Sequence, residues 1–363
     1  MSEKRVTVRD IADRMQVSSG TVHRALHDKP GVGEELRSRI RQVAEEMGYR
    51  PNLLAATLKM KPLRIVLAFP SQERADRFYY HYVWQGCRSR LQNYADYRFE
   101  AVEMPYTRDG RDAAQSFAAG MNRLLEQYNG EIDGVIASGL MCGTDTAMVE
   151  QLHRLNIPVV MLCESVSKEH CLCAVQSNDY VDGQIAAELL SGRLAEGEAV
   201  LVCAGSPELE SNVENLRGFT DGMQGRHPLT VLYGVFEHEQ LEQHVYETLR
   251  AGRFGGAYSV AARSTPPLCQ AVRRLGLHEQ LCVVGSEVFD ESAQALQEGV
   301  LDYILYKKPL EQGALGVNLL MQRLLRQLPP PQKRVTLNSA IVVRSNLPHY
   351  LAELQASQDG QPQ

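Results

Sequence analysis

From residue 63 onward the chain repeats one pattern, a short apolar run followed by a helical stretch, and few folds accommodate it. "RIVLAFP", "IDGVIASG" and "IPVVMLC" are apolar segments of strand length, and helical periodicity lies between them, for example over 83–91. A second series begins at "AVLVCAGSP" and continues with "GAYSVAA" and "LCVVGSE", with "LRGFTDGM" and "PLCQAVRRLGL" as intervening helices. Strands that alternate with helices lie parallel, because a parallel neighbour needs a crossover to bring the chain back. Two strand sets therefore predict an α/β body of two doubly wound lobes. A ligand belongs in the cleft between them, at the carboxyl ends of the strands.

At 363 residues the chain has room for two or three domains. Its 44% hydrophobic and 23% charged residues fit an ordinary globular protein. No run of about 18 apolar residues is present, and "MSEKRVTVRD" lacks the apolar segment of a secretory signal. A cytoplasmic location and no membrane contact are the expectations. The eight cysteines form no C-x-x-C pair, so buried reduced thiols are expected. The tightest cluster, "EHCLC" with His170, Cys171 and Cys173, has poor spacing for structural zinc. Neither a metal nor a cofactor is expected. Nucleotide cradles and a nucleophile elbow are unsupported, since G-x-G-x-x-G, G-x-x-x-x-G-K-[ST] and G-x-S-x-G are all missing.

Charge is unevenly spread. Residues 1–62 carry 12 Lys or Arg against 8 Asp or Glu, a net of +4, so the overall −6 leaves −10 on the remaining 301 residues. A basic head on an acidic body suggests that only the head meets a polyanion. In the head, Val8, Ile11, Ala12 and Met15 recur at helical spacing, and Val22, Ala25 and Leu26 do so after a short break. Ser18 is placed to cap the second helix. Leu36, Ile40, Val43, Ala44 and Met47 mark a third, with Gly48 as its stop. With the apolar stripes buried, Ser19, Gly20, His23, Arg24 and His27 face outward. That face suits the major groove, where arginine can grip a guanine edge with two bonds. The competing reading is a helical hairpin with a solvated polar face. In "YRPNLLAATLKMKP", Pro51 and Asn52 precede a short apolar helix over 53–58 that needs a partner to form. Leu58 could wedge between base steps from the minor groove.

"VTVRDIADRMQVSSGTVHRAL", "GYRPN" and "AATL" resemble the DNA-binding head of the lactose-repressor (LacI/GalR) family, densely over residues 6–58. The resemblance implies a helix-turn-helix domain over 1–50 and a hinge over 51–62. It places Ser19, Gly20 and Arg24 at base-reading positions, Thr7, Ser18, Thr21 and Asn52 at backbone contacts, and Ala55 and Leu58 in the minor-groove hinge. Two residues depart from the pattern. His23 stands where a serine usually precedes the arginine, and Gly20 has no side chain with which to read an edge.

The body, by "SNDYVDGQIAAELL", "ENLRGF", "VVGSE" and "YKKPLEQG", is similar to that family's effector domain and to type I periplasmic binding proteins. This implies lobes over 63–174 with 304–333 and over 175–303 with 334–352, then a polar tail over 353–363. It also implies a homodimer on palindromic double-stranded operator DNA, with a small effector in the cleft. Asn178 or Asp179, Asn215 and Glu287 fall near positions that bind sugar hydroxyls in relatives, and Ser71 and Tyr79 fall near the first strand's loop. Asn215 occupies the place of a frequent sugar-gripping arginine, "AARST" presents Arg263 instead of an Asn-Asp pair, and Lys307 and Lys308 replace a glutamine region. These departures point from a standard neutral hexose toward a sugar acid, polyol or other sugar derivative. The alternative is an enzyme acting on a sugar-like substrate, with a helical appendage; the basic head and "AATL" hinge favour the regulator. "LAELQASQDGQPQ" is too short for a heptad repeat, so no tail-built tetramer is expected.

Overall fold

The computed structural model describes residues 6–26, 29–47, 61–73, 76–107, 116–138, 144–163, 169–234 and 238–358. They fall into two compact units, one of Met1–Pro62 with Asp96–Arg98 and one of Leu63–Ala95 with Phe99–Gln363.

The first unit holds α1 (Val8–Met15), α2 (Ser19–Leu26) and α3 (Glu34–Glu46). Thr7 starts α1 with a capping box: its hydroxyl accepts from the Asp10 amide at 3.3 Å, and Asp10 accepts from the Thr7 amide at 2.7 Å. Ser18 accepts from the Thr21 amide at 3.1 Å and so caps α2. The apolar stripes meet as expected around Ile11, Val22, Ala25 and Ile40, each fully buried. Arg37 was not anticipated in this core region. It is 8% exposed, and its guanidinium donates to the carbonyls of Arg24, Lys29 and Val32, tying the end of α2 to α3.

The second unit contains two six-stranded sheets. Its elements are β1 (Leu63–Pro70), α4 (Arg77–Gln92), β2 (Phe99–Tyr106), α5 (Phe117–Gln127), β3 (Gly134–Ser138), α6 (Thr144–Arg154), β4 (Val159–Leu162), β5 (Cys173–Ser177), α7 (Asp179–Ser191), β6 (Ala199–Gly205), α8 (Glu210–Met223), β7 (Leu229–Tyr233), α9 (His238–Ala251), β8 (Phe254–Ser259), α10 (Thr265–Leu275), β9 (Cys282–Ser286), α11 (Asp290–Glu298), β10 (Tyr303–Tyr306), α12 (Pro309–Arg326), β11 (Arg334–Leu337), β12 (Ala340–Val342) and α13 (Leu347–Gln358). The first sheet runs β11-β5-β4-β3-β1-β2 and is parallel throughout. The second runs β12-β10-β9-β8-β6-β7, parallel except for the antiparallel edge strand β12. Residues of β3 and β4 are buried along their whole length, which is why these strands read as unbroken apolar runs.

Strand pairing gives the crossings their positions. β5 and β11 belong to the first sheet and β10 to the second, so the chain passes between sheets after Ser177, after Tyr306 and after Leu337, within three residues of 174, 304 and 334. Each strand keeps its ladder to its last residue before the chain leaves, and a crossing inside it would strand buried backbone groups without partners. The first part of the expected polar tail over 353–363 is helical. Residues 353–358 finish α13, Leu354 is 4% exposed, and its carbonyl accepts from Gln85 Nε2 at 3.1 Å. No helix among the described residues is long and apolar enough to cross a membrane.

Candidate functional sites

In the head, Ser19, Gly20, His23 and Arg24 lie exposed on α2 while Val22 and Ala25 on its other face are buried. Nothing inside the head requires glycine at position 20, where an added Cβ would meet only Ser18 Oγ at 3.7 Å. Thr7 and Ser18 hold helix starts, and Thr21 accepts a long bond of 3.5 Å from Arg24 Nη2. Asn52, Ala55 and Leu58 lie outside the described residues.

In the body, Tyr79, Asp179, Arg263, Glu287 and Lys307 converge on one cleft between the lobes, enclosing about 710 Å³ that is partly open to solvent. Tyr79 comes from α4 of the first lobe, Asp179 from the start of α7, Arg263 from the turn after β8, Glu287 from the end of β9, and Lys307 from the crossover after β10. Lys307 Nζ donates to Asp179 Oδ1 at 2.9 Å, and its backbone amide lies 3.3 Å from both Glu287 oxygens. Arg263 Nη2 pairs with Asp76 Oδ1 at 2.9 Å across the cleft. Tyr79 Oη and Cys163 Sγ are 2.9 Å apart. Three residues at strand ends, Cys163, Glu287 and Lys308, have φ of 69°, 67° and 60°. A left-handed backbone disfavours residues with a Cβ, and such conformations gather at binding sites.

Burial raises the Glu287 carboxyl to about 8, although Lys307 draws it down, and burial raises Asp182 to about 6. Lys307 is pulled the other way. Desolvation opposes its charge, but Asp179, Asp182 and Glu287 hold its pKa above the ordinary lysine value. Burial pushes the Cys171 and Cys173 thiols up to about 12 and about 11, and no grouping of three His, Cys, Asp or Glu suited to a metal occurs among the described residues.

The remaining predicted cleft residues are placed elsewhere. Ser71 donates its amide to the Tyr106 carbonyl and does not line the cavity. Asn178 caps α7 and borders a neighbouring depression with Tyr180, Glu210, Glu214 and Arg334. Asn215 is fully buried, and its Oδ1 accepts from the Tyr258 hydroxyl at 2.7 Å. It lies where α7 and α8 cross with backbones touching: a Cβ at Gly183 would collide with the Asn215 carbonyl, and one at Gly218 with the Tyr180 carbonyl. A side chain at so close a crossing is held inside its lobe. The sequence reading missed Asp76, Tyr80, Cys163, Ser177, Ser206, Ser211, Asn212 and Ser286, which line the cleft. Ser206 and Ser286 close the apolar runs "AVLVCAGS" and "LCVVGS", so the rule that ligands gather at strand ends could have found them.

Residues 7–52 match the family described as bacterial regulatory proteins, lacI family, and residues 67–327 match the periplasmic binding protein domain. The chain is similar to the HTH-type transcriptional regulator MalR of Streptococcus pneumoniae, 23% identical over 45% of this chain and 47% of that protein. It is also similar to catabolite control protein A of Staphylococcus aureus, 25% identical over 60% of each chain. The matched segments thus span about half to three fifths of those relatives. Among solved structures, a periplasmic solute binding protein of an ABC transporter from Actinobacillus succinogenes, with bound D-allose, superposes with a TM-score of 0.68 over 80% of this chain and 100% of that one, at 14% identity. At that identity the likeness establishes the fold.

Proposed function

Given that this chain belongs to the LacI/GalR family of bacterial regulators, we propose that it is a ligand-responsive DNA-binding transcriptional regulator, acting as a repressor. The observation that carries the proposal is one chain with both an exposed polar α2 face on a basic head and a two-lobed cleft with buried polar groups. Ser19 and Arg24 read bases from the major groove with Gly20 and His23 on the same face, and Thr7, Ser18, Thr21 and Asn52 contact the backbone. Ala55 and Leu58 open the minor groove. One head offers one recognition helix, so a homodimer binds a pseudo-palindromic operator.

The effector is a small polyhydroxylated molecule. Ser177, Ser206, Ser286 and Asn212 offer hydroxyl and amide groups, while Leu209, Val260 and the Tyr79 and Tyr80 rings offer apolar surface. A sugar acid fits less well than the sequence suggested, since Lys307 and Arg263 are already paired with Asp179 and Asp76. Ligand binding changes the angle between the lobes and through it the spacing of paired heads, so ligand and operator affinities are coupled reciprocally. The regulator reading is favoured over the enzyme because a head with this face and charge serves no step of catalysis.

Footprinting on DNA selected from a random pool tests the proposal. Two symmetric half-sites should be protected together; full affinity for a single isolated half-site would contradict it.

A further inference from the structure

The buried charges around the cleft do not balance. Two cations face it, and each already holds a carboxylate at 2.9 Å: Lys307 with Asp179, and Arg263 with Asp76. Two more carboxylates remain. Glu287 lines the cavity at 1% exposure and accepts only the two 3.3 Å bonds from the Lys307 amide, among the bonds of the described residues. Asp182, 2% exposed, has an Oδ2 with no hydrogen-bond partner among the described residues, and it acts on both Lys307 and Glu287. A buried carboxylate persists by taking a proton or by meeting a cation. A ligand carboxylate would deepen the excess, whereas a ligand ammonium would cancel part of it.

We propose that the effector is a polyhydroxylated amine, an amino sugar or amino alditol, whose ammonium is received by Glu287 while its hydroxyls meet the serines and Asn212 of the cleft. This rests on the cleft being the effector site. The groups facing Glu287 are Asp179 and Asp182 from α7, Lys307 and Tyr306 from the end of β10, and Tyr79 and Tyr82 from α4. Among them Lys307 is the cation, and it is committed to Asp179. Without ligand, burial keeps the Glu287 proton in place near neutral pH. An incoming ammonium restores the carboxylate, so binding the amine at pH 7 releases a proton and binding a neutral sugar does not.

The test is titration calorimetry on the full chain with matched sets: glucosamine, glucose and glucuronate, and the corresponding galactose and mannose derivatives. In at least one set the amine should bind about tenfold or more tightly than the neutral sugar, with the acid weakest. Its heat should differ between buffers of different ionisation enthalpy, as proton release requires. Glu287→Gln, close in shape, should bring the amine to within about twofold of the neutral sugar. A neutral or acidic member binding tightest, equal binding within every set, or no amine binding at all would overturn the proposal. Leu209→Trp, which fills the cleft, separates this failure from that of the effector-site reading. Neutral-sugar binding lost in that variant leaves the cleft reading standing and sinks the amine alone; binding that survives it sinks both.

Discussion

The head and the cleft keep their polar residues in opposite places. On α2, Ser19, His23 and Arg24 stand outside a core made of Ile11, Val22, Ala25 and Ile40, so the face proposed to meet DNA contributes little to folding. In the cleft, Lys307, Asp179, Asp182 and Glu287 are inside the protein. Lys307 and Asp179 satisfy one another while Asp182 and Glu287 have no cation of their own among the described residues, and any change to one is felt by the fold. On the proposed function, substitutions on the head's exposed face leave its core intact, whereas substitutions among the cleft's buried charges reach the stability of the body.

The sharpest way to break this contrast is Lys307→Ala, which leaves Asp179 buried without its paired cation. Removing one partner of a buried pair typically destabilises by about 3 to 5 kcal/mol, and urea denaturation of the body should show a loss of that order. A loss under about 1 kcal/mol would mean that water solvates the cluster. Acidity should produce the next effect. Because burial raises Glu287 from an ordinary 4.5 to about 8 and Asp182 from 3.8 to about 6, the folded body binds more protons than the unfolded chain between these values. Their contribution to stability is fully present below about 4 and is lost as pH rises toward 8, by up to about 1.4 kcal/mol per pH unit for Glu287. Melting temperatures across pH 5 to 8.5 should fall with this slope, and Glu287→Gln should flatten it.

In the head, Arg24→Ala should weaken operator binding by roughly 1 to 3 kcal/mol and flatten preference at one base pair per half-site, with the melting of the protein unchanged. A lowered melting temperature would show that Arg24 belongs to the fold rather than to the reading face. The smallest effect belongs to the exposed ion pair between Arg77 and Glu291, where both side chains keep about half their exposure. Glu291→Ala should alter stability by less than about 1 kcal/mol, and a larger change would erase the distinction between buried and exposed pairs.

The contrast also explains what could be read from the sequence. The head's apolar spacing is local, each stripe lying within one helix, so Ile11, Val22 and Ile40 could be assigned to its core directly. The two sheets announced themselves through unbroken apolar runs such as "RIVLAFP". The cleft is assembled from residues as far apart as Asp76, Asp179 and Lys307, and no short-range pattern records that Lys307 would be claimed by Asp179. Asn215 was misplaced for a related reason. The glycines that let α7 and α8 touch, Gly183 and Gly218, lie 35 residues apart, so Gly218, one turn from Asn215, does not by itself reveal the crossing that encloses it. The left-handed turn at Glu287 was equally hidden, since glutamate carries no preference for it.

The central claim is that occupancy of the body's cleft sets the head's affinity for DNA. Fluorescence anisotropy of the full chain on its selected operator, with and without a saturating cleft ligand, addresses it directly. Operator affinity should change by about 5- to 150-fold, as expected for a coupling of roughly 1 to 3 kcal/mol, while weak binding to random DNA stays constant. Equal operator affinity in the two conditions, with the ligand shown to be bound, would contradict it.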